Sequence, residues 1–519
     1  MNLIKAGGTI GGLTLVSRIL GFVREMIFAR IMGAGMAADA FTLAFLIPNL
    51  FRRLFGEGAF SQGFVPLFAR RLDGEGGMAE ARRFAEEVQA VFLPLLILVT
   101  ILFMIAMPAF VAVIAAGWRD DPEKFGLAVD LTRITFPYLI FISMVSLFSG
   151  VLNSLTRFAA AAFAPALLNV ALITALLVVP SGGQQSAYAL AWAVIAGGVV
   201  QLALLILATK RAGLTLKLLP PRMTPRVKEL FVLILPATLG AGGYYLSQLF
   251  YAYFATTLPE GSLVYLSQAD RLNQLPLALV GSALGTAILP AISRRIGAGE
   301  DRQAANIQGR ATELAMLLAI PAAVALSVAS GPIMTVLFEG GRFTAADAAI
   351  SALVLSILVA GLPAYVMIKV LAPGFFARKD MWTPLWVTIG SLAVGVSANF
   401  VLVPAIGIAA LAATTAGAAW INAIALYAIL VRRGFFRFES WLVVRLVKQL
   451  LAAGVMAAAI LFVQSAFAGS FDGSAGQRLV AITAVVAAGA AVYFVIAWFS
   501  GAMDREDLLI LLRRKKVNQ

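Results

Sequence analysis

The chain has 519 residues, of which 61% are hydrophobic and 13% charged, with a net charge of +14 and neither cysteine nor histidine. A soluble globular domain carries about 25% charged residues, so a chain this long and apolar cannot bury its surface in one aqueous core, and lipid must be its solvent. The missing residue types exclude thiol nucleophiles, disulfides, Cys/His zinc sites and imidazole acid–base chemistry.

A spanning helix needs about 20 mostly apolar residues. Apolar runs between polar or Gly/Pro punctuation predict fourteen spans, at 5–33, 38–69, 84–117, 126–154, 159–180, 186–209, 227–258, 262–293, 304–330, 345–372, 382–404, 407–431, 440–468 and 477–500. The expected fold class is therefore all-α, a polytopic membrane protein of about 14 transmembrane helices. Met1 to Lys5 precede a Gly-rich run interrupted by Arg18 and Arg24. That is a poor signal-peptide core, so the first span is expected to be retained.

The connecting loops alternate in charge. One set holds Arg70, Arg71, Arg82 and Arg83, then Arg157, then Lys210, Arg211, Lys217, Arg222, Arg226 and Lys228. It continues with Arg294, Arg295 and Arg302, with Arg378 and Lys379, with Arg432, Arg433 and Arg437, and with the tail Arg513 to Lys516. The other set is nearly bare: Arg119 and Lys124 beside acids, Arg342, and Arg478. The positive-inside rule then puts both termini in the cytoplasm, which an even number of spans satisfies. The same rule accounts for the net charge, and no folded soluble region is left to bind nucleic acid.

Phe64-Val-Pro-Leu-Phe-Ala-Arg-Arg71 and Ile288-Leu-Pro-Ala-Ile-Ser-Arg-Arg295 match in pattern, and Arg157 with Pro165 echoes Arg378 with Pro384. These echoes predict two parallel six-helix repeats: an N-terminal lobe over 1–215 and a C-terminal lobe over 216–435. A helix pair over 436–502 and a basic cytoplasmic tail over 503–519 follow.

Ionisable residues inside a membrane cost about 2.5–3.5 kcal/mol each at a helix centre and mark function by default. The first two spans carry Arg18, Arg24, Glu25, Arg30, Asp39, Arg52, Arg53 and Glu57, and the second half adds Asp270, Arg271 and Lys369. Gly21, Pro48, Gly56, Gly58 and Gly63 loosen the same two spans, and broken helix is tolerated only against protein or water. Some of these charges have structural readings. Arg53 and Glu57, four apart, can pair on one helix; Asp270 can pair across helices; Glu25 and Arg30 can sit at the interface. The aromatic run from Tyr244 to Phe254 reads as packing. Cations nevertheless outnumber acids, which asks for an anion. Arginine suits phosphate or diphosphate because its planar fork donates two parallel hydrogen bonds.

The block Arg18-x5-Arg24-Glu25, Gly33-Ala-Gly35-x-Ala-Ala-Asp39-Ala-Phe and Pro48-Asn49-x-x-Arg52-Arg53-Leu-Phe-Gly-Glu57-Gly-Ala-Phe-Ser-Gln62 closely resembles the MurJ (MviN) lipid II flippases. So do Ala269-Asp270-Arg271-Leu with Pro276, and Lys369-Val-Leu-Ala-Pro373-Gly374-Phe. The family belongs to the multidrug/oligosaccharidyl-lipid/polysaccharide exporter superfamily. The resemblance implies a multi-pass protein of the bacterial inner membrane, with two six-helix lobes and an added pair forming a lipid-tail groove. It also implies outward movement of an undecaprenyl-diphosphate-linked disaccharide-pentapeptide for peptidoglycan synthesis. Arg24, Arg52 and Arg271 would bind the diphosphate, and Arg18, Asp39, Arg53, Glu57, Asp270 and Lys369 would support the cavity or gate.

Some family members bind sodium through acids and amides on spans seven, eleven and twelve. Here the seventh span has no acid after Glu229, and only Asn399 and Thr414 or Thr415 remain, so no metal site is assigned. No cofactor is expected, nor an enzyme, since no acidic motif in a sizeable loop offers a general base. Expected partners are the anionic lipid-linked substrate and membrane lipids, with cell-wall synthesis proteins as candidates. The alternative is a cation-coupled exporter of small molecules on the same scaffold, against which the cationic surplus argues.

Overall fold

The computed structural model describes residues 3–52 and 59–504, and it is helical almost throughout, with one isolated bridge between Gly340 and Phe343. Contacts divide the chain into two compact units, one of Met1–Val264 with Gly340–Thr344 and one of Tyr265–Glu339 with Ala345–Gln519.

The first unit runs through α1 (Leu3–Met32), α2 (Met36–Arg52), α3 (Ala59–Leu72), α4 (Gly77–Ile114), α5 (Pro122–Thr135), α6 (Tyr138–Ser154), α7 (Ala159–Val178), α8 (Gln184–Arg211) and α9 (Pro225–Thr256). α5 starts where sequence rules put a start: Asp121 accepts the Lys124 N–H and Pro122 occupies the first turn. α8 packs on α6 and α7. The approach is close at Gly197 and Gly198, where a Cβ would come within 2.8 Å of Leu168 and of Tyr138. α9 belongs here because it packs on α3 and α4; Arg71 meets Glu229 across that contact at 2.7 Å, and Arg70 pairs with the same carboxylate. The units follow contacts and the two predicted repeats follow sequence, so the unit boundary does not fall at residue 215.

α10 (Ser262–Gly297) leads into the second unit. There follow α11 (Asp301–Val328), α12 (Ser330–Leu337), α13 (Ala345–Leu358), α14 (Leu362–Phe376), α15 (Trp382–Ile406), α16 (Ile408–Arg432), α17 (Ser440–Ala466), the single turn α18 (Ala468–Phe471) and α19 (Ala475–Phe499). α11 packs on α14 and α17, α16 on α14 and α15, and α17 on α19. α19 opens with a full capping box, Ser474 with Gln477.

Among the described residues ten helices are long and apolar enough to cross a membrane. α1, α2 with α3, α9 and α10 occupy the other predicted spans, 5–33, 38–69, 227–258 and 262–293, and of these the first, second and last carry all the charges named above except Lys369. The span expected over 126–154 breaks at Phe136–Pro137, between α5 and α6, and that over 345–372 breaks at a 3-10 turn, Val359–Gly361, just before Pro363.

A proline inside a helix removes its own N–H and so frees the carbonyl four residues earlier. In lipid that carbonyl must find a donor, since no water is there to serve. Three such carbonyls are filled from neighbouring helices. Pro48 frees Ala44, which accepts from the Thr135 hydroxyl at 2.8 Å. Pro108 frees Met104, which accepts from Arg133 Nε at 3.2 Å. Pro321 frees Leu317, which accepts from the Tyr493 hydroxyl at 3.0 Å. Each freed carbonyl is therefore tied to a particular partner side chain.

Candidate functional site

The carbonyls at the end of α1 have no partners within the helix, and the short segment Gly340–Thr344 covers one of them. Arg342 donates its N–H to the Arg30 carbonyl at 2.8 Å. Only glycine fits beside that contact: Gly341 has φ +58°, and a Cβ on it would come within 2.2 Å of the same carbonyl. Arg30 itself is exposed, its side chain running along Gly340.

Asp39 lies in the first turn of α2 and is 2% exposed. Its carboxylate accepts from Lys124 Nζ at 3.1 Å, from the Gly261 N–H at 2.8 Å and from the Val264 N–H at 3.4 Å. It therefore neutralises a buried lysine and caps the start of α10 together. Lys124 also lies over the Trp118 ring, 4.5 Å from its centroid.

Deeper along α1, Arg24 pairs with its neighbour Glu25, and both side chains are nearly buried. Its Nη1 donates to Asn169 Oδ1 on α7 at 3.2 Å, and the guanidinium lies 5.7 Å from the centre of the Phe45 ring on α2. Asn169 is fixed in turn, its Nδ2 donating to the Ser17 carbonyl at 3.1 Å. Three helices thus orient one guanidinium. Arg18, on the same helix, is exposed. Arg53 and Glu57, and the side chain of Arg52, lie outside the described residues.

In the second unit Asp270 accepts from Gln274 Nε2 at 2.5 Å, and Arg271 beside it is half-buried. Lys369 is exposed on α14, one turn before Pro373. Asn399 on α15 accepts from the Thr414 hydroxyl of α16 at 2.7 Å, while Thr415 donates to the Leu411 carbonyl. Among the described residues no cluster of three His, Cys, Asp or Glu could hold a metal ion.

The structure thus brings together Arg24 with Glu25, and Asp39 with Lys124. Sequence reasoning did not find Asn169 or Lys124 as their partners. A lone asparagine amid the apolar run of α7 was the available signal for the first.

The family model described as lipid II flippase MurJ matches residues 28–479. A protein of Rhizobium meliloti (strain 1021) named a probable lipid II flippase MurJ is 42% identical over 520 aligned residues, covering 99% of this chain and 96% of its own. The lipid II flippase MurJ of Burkholderia cenocepacia is 36% identical, covering 96% of this chain and 98% of its own. Among solved structures, a lipid II flippase MurJ in an inward closed conformation superposes with a TM-score of 0.78 at 23% identity, covering 96% of this chain and 99% of that one. An inward-facing multidrug resistance MATE family transporter of the MOP superfamily superposes with a TM-score of 0.66 at 16% identity, covering 80% and 94%. At those identities both show the fold.

Proposed function

Because the chain belongs to the MurJ lipid II flippase family, we propose that it moves an undecaprenyl-diphosphate-linked peptidoglycan precursor from the cytoplasmic to the periplasmic leaflet. The membrane is the bacterial inner membrane, both termini are cytoplasmic, and the cycle is alternating access by six-helix lobes over 1–215 and 216–435. Helices over 436–502 attend the prenyl tail. What carries the reading is the family match over residues 28–479, a range that takes in Arg52, Asp270, Arg271 and Lys369, with a relative covering 99% of the chain.

In this reading Arg24, Arg52 and Arg271 contact the diphosphate. Arg24 supports the assignment by its geometry: a guanidinium already oriented by Asn169 and Glu25 loses little freedom on meeting phosphate oxygens. Arg18, Asp39, Arg53, Glu57, Asp270 and Lys369 support the cavity or gate. The diphosphate is carried intact. An inside-negative potential favours anion export by about 2.3 kcal/mol per charge per 100 mV, so two phosphate charges supply about 4–5 kcal/mol, enough to bias direction without sodium.

Depletion of the protein tests the function. Precursor should accumulate on the cytoplasmic face, and an unchanged distribution between leaflets would overturn the proposal. Extrusion of cationic dyes with no effect on precursor would favour the small-molecule exporter.

A further inference from the structure

Arg133 has no part in the transport reading, yet it lies well inside a spanning segment. It falls about 16 Å along α5 from Pro122, and its partner Met104 lies about 15 Å along α4 from Ile114, at ~1.5 Å per residue. Asp130, exposed and bonded to the Tyr188 hydroxyl, marks a polar level one turn nearer the start of α5. Arg133 follows one turn further along the helix.

Its one hydrogen bond among the described residues runs from Nε to the Met104 carbonyl that Pro108 leaves free. Arginine has five N–H donors, and none of the others meets a carboxylate among the described residues. Together with Ile101, Met104 and Ile105 the side chain lines a shallow, open groove of about 580 Å³. Ile101 and Ile105 are 50% and 72% exposed, on a helix whose apolar stretch is only 28% buried, so the groove opens towards acyl chains.

We infer that this groove is a binding site for a membrane glycerophospholipid with a net negative head group. The phosphodiester accepts from the free edge of the Arg133 guanidinium, and an acyl chain lies along Ile101 and Ile105. Charge decides the class: a cation held inside a spanning segment needs an anion, whereas a zwitterionic head group brings its own ammonium. Nε stays on Met104, which fixes the fork in place for the phosphate. The leaflet occupied, the outer one, follows from the orientation proposed above, but the binding itself does not depend on it.

The test is native mass spectrometry of the full-length protein released from nanodiscs of phosphatidylcholine containing graded phosphatidylglycerol. Wild type should retain one phosphatidylglycerol more than Arg133→Gln, with apparent affinity lowered on the order of tenfold in the variant. Ile105→Trp, which obstructs the groove beside Arg133 and leaves the Arg133–Met104 bond alone, should weaken retention of the same lipid, and Arg133→Lys should keep part of it. Retention equal to wild type in both Arg133→Gln and Ile105→Trp would overturn the site. Mole-for-mole displacement of the retained lipid by undecaprenyl diphosphate would overturn the choice of occupant. Neither result bears on whether precursor is flipped, which the depletion experiment reads separately.

Discussion

Each unit contains a buried arginine–glutamate contact, and the two are built to different ends. In the second unit Glu313, 0% exposed, pairs with Arg445 and with Arg310 at 3.0 Å, while Asp504 meets Arg445 at 2.9 Å. Among the described residues two cations stand against two anions here, Gln449 adds a bond to the Glu313 carbonyl, and the set joins α11 to α17. In the first unit Glu25 answers Arg24, α1 also carries Arg18 and Arg30, and the next predicted span adds Arg52 and Arg53 with Asp39, which Lys124 neutralises, and Glu57. A charge-balanced cluster between two helices holds them together. An arginine oriented by neighbouring helices, on a span with more cations than acids, is suited to an anionic ligand that comes and goes.

Substitutions separate the two. The largest effect is expected at the cationic set: Arg24→Ala, Arg52→Ala and Arg271→Ala should each abolish complementation of a depleted strain while membrane insertion stays normal. Arg24→Lys should rescue poorly because an ammonium lacks the planar fork, and Asn169→Ala should fall between wild type and Arg24→Ala. In the balanced set, Glu313→Gln should cost about 1–3 kcal/mol, because Arg445 loses its buried partner but keeps Asp504. That would appear as a lower unfolding temperature in detergent, with transport per folded molecule kept. If Glu313→Gln instead stopped transport without loss of stability, the contrast between the sets would fail.

Comparable or smaller effects sharpen the packing side. Tyr493→Phe should cost about 1–3 kcal/mol by stranding the Leu317 carbonyl. Pro321→Ala restores the missing N–H, so the double variant should lose less than the sum of the singles in thermal unfolding. The smallest effect concerns Asp380, in the loop between α14 and α15. Burial alone would push its carboxyl up, but bonds from the Thr383 hydroxyl and N–H and from Arg433 at 2.5 Å outweigh it and hold it down at about 2. A carboxyl held below its unfolded value of about 3.9 contributes stability that is complete above about pH 4 and lost as pH falls through 2. Asp380→Asn should therefore flatten the acid limb of the stability profile, by no more than about 1 kcal/mol for a partly exposed pair.

Span positions were legible because a helix in lipid satisfies its own backbone, so a run of apolar residues is nearly sufficient evidence for one. The repeated Pro-x-x-x-Arg-Arg pattern was legible too: Pro66 and Pro290 lie inside α3 and α10, and Arg70, Arg71, Arg294 and Arg295 fall in their last turns. The partners were not legible. Asp39 finds Lys124 85 residues away, and Arg24 finds Asn169 145 residues away. Those pairings depend on how helices pack, which no local pattern encodes. Arg133 stands visibly inside the span predicted over 126–154, but its importance rests on a carbonyl freed by Pro108 on another helix. Prolines in hydropathic runs mark bends; the side chains that answer them emerge only from packing.

Flipping of a fluorescent undecaprenyl-diphosphate-linked precursor in proteoliposomes, with wild type and the three arginine variants reconstituted in equal amounts, tests the central claim most directly. The account predicts translocation by wild type, faster when the interior facing the cytoplasmic side is held negative, and none by Arg24→Ala, Arg52→Ala or Arg271→Ala. Wild-type rates in all three variants would contradict it.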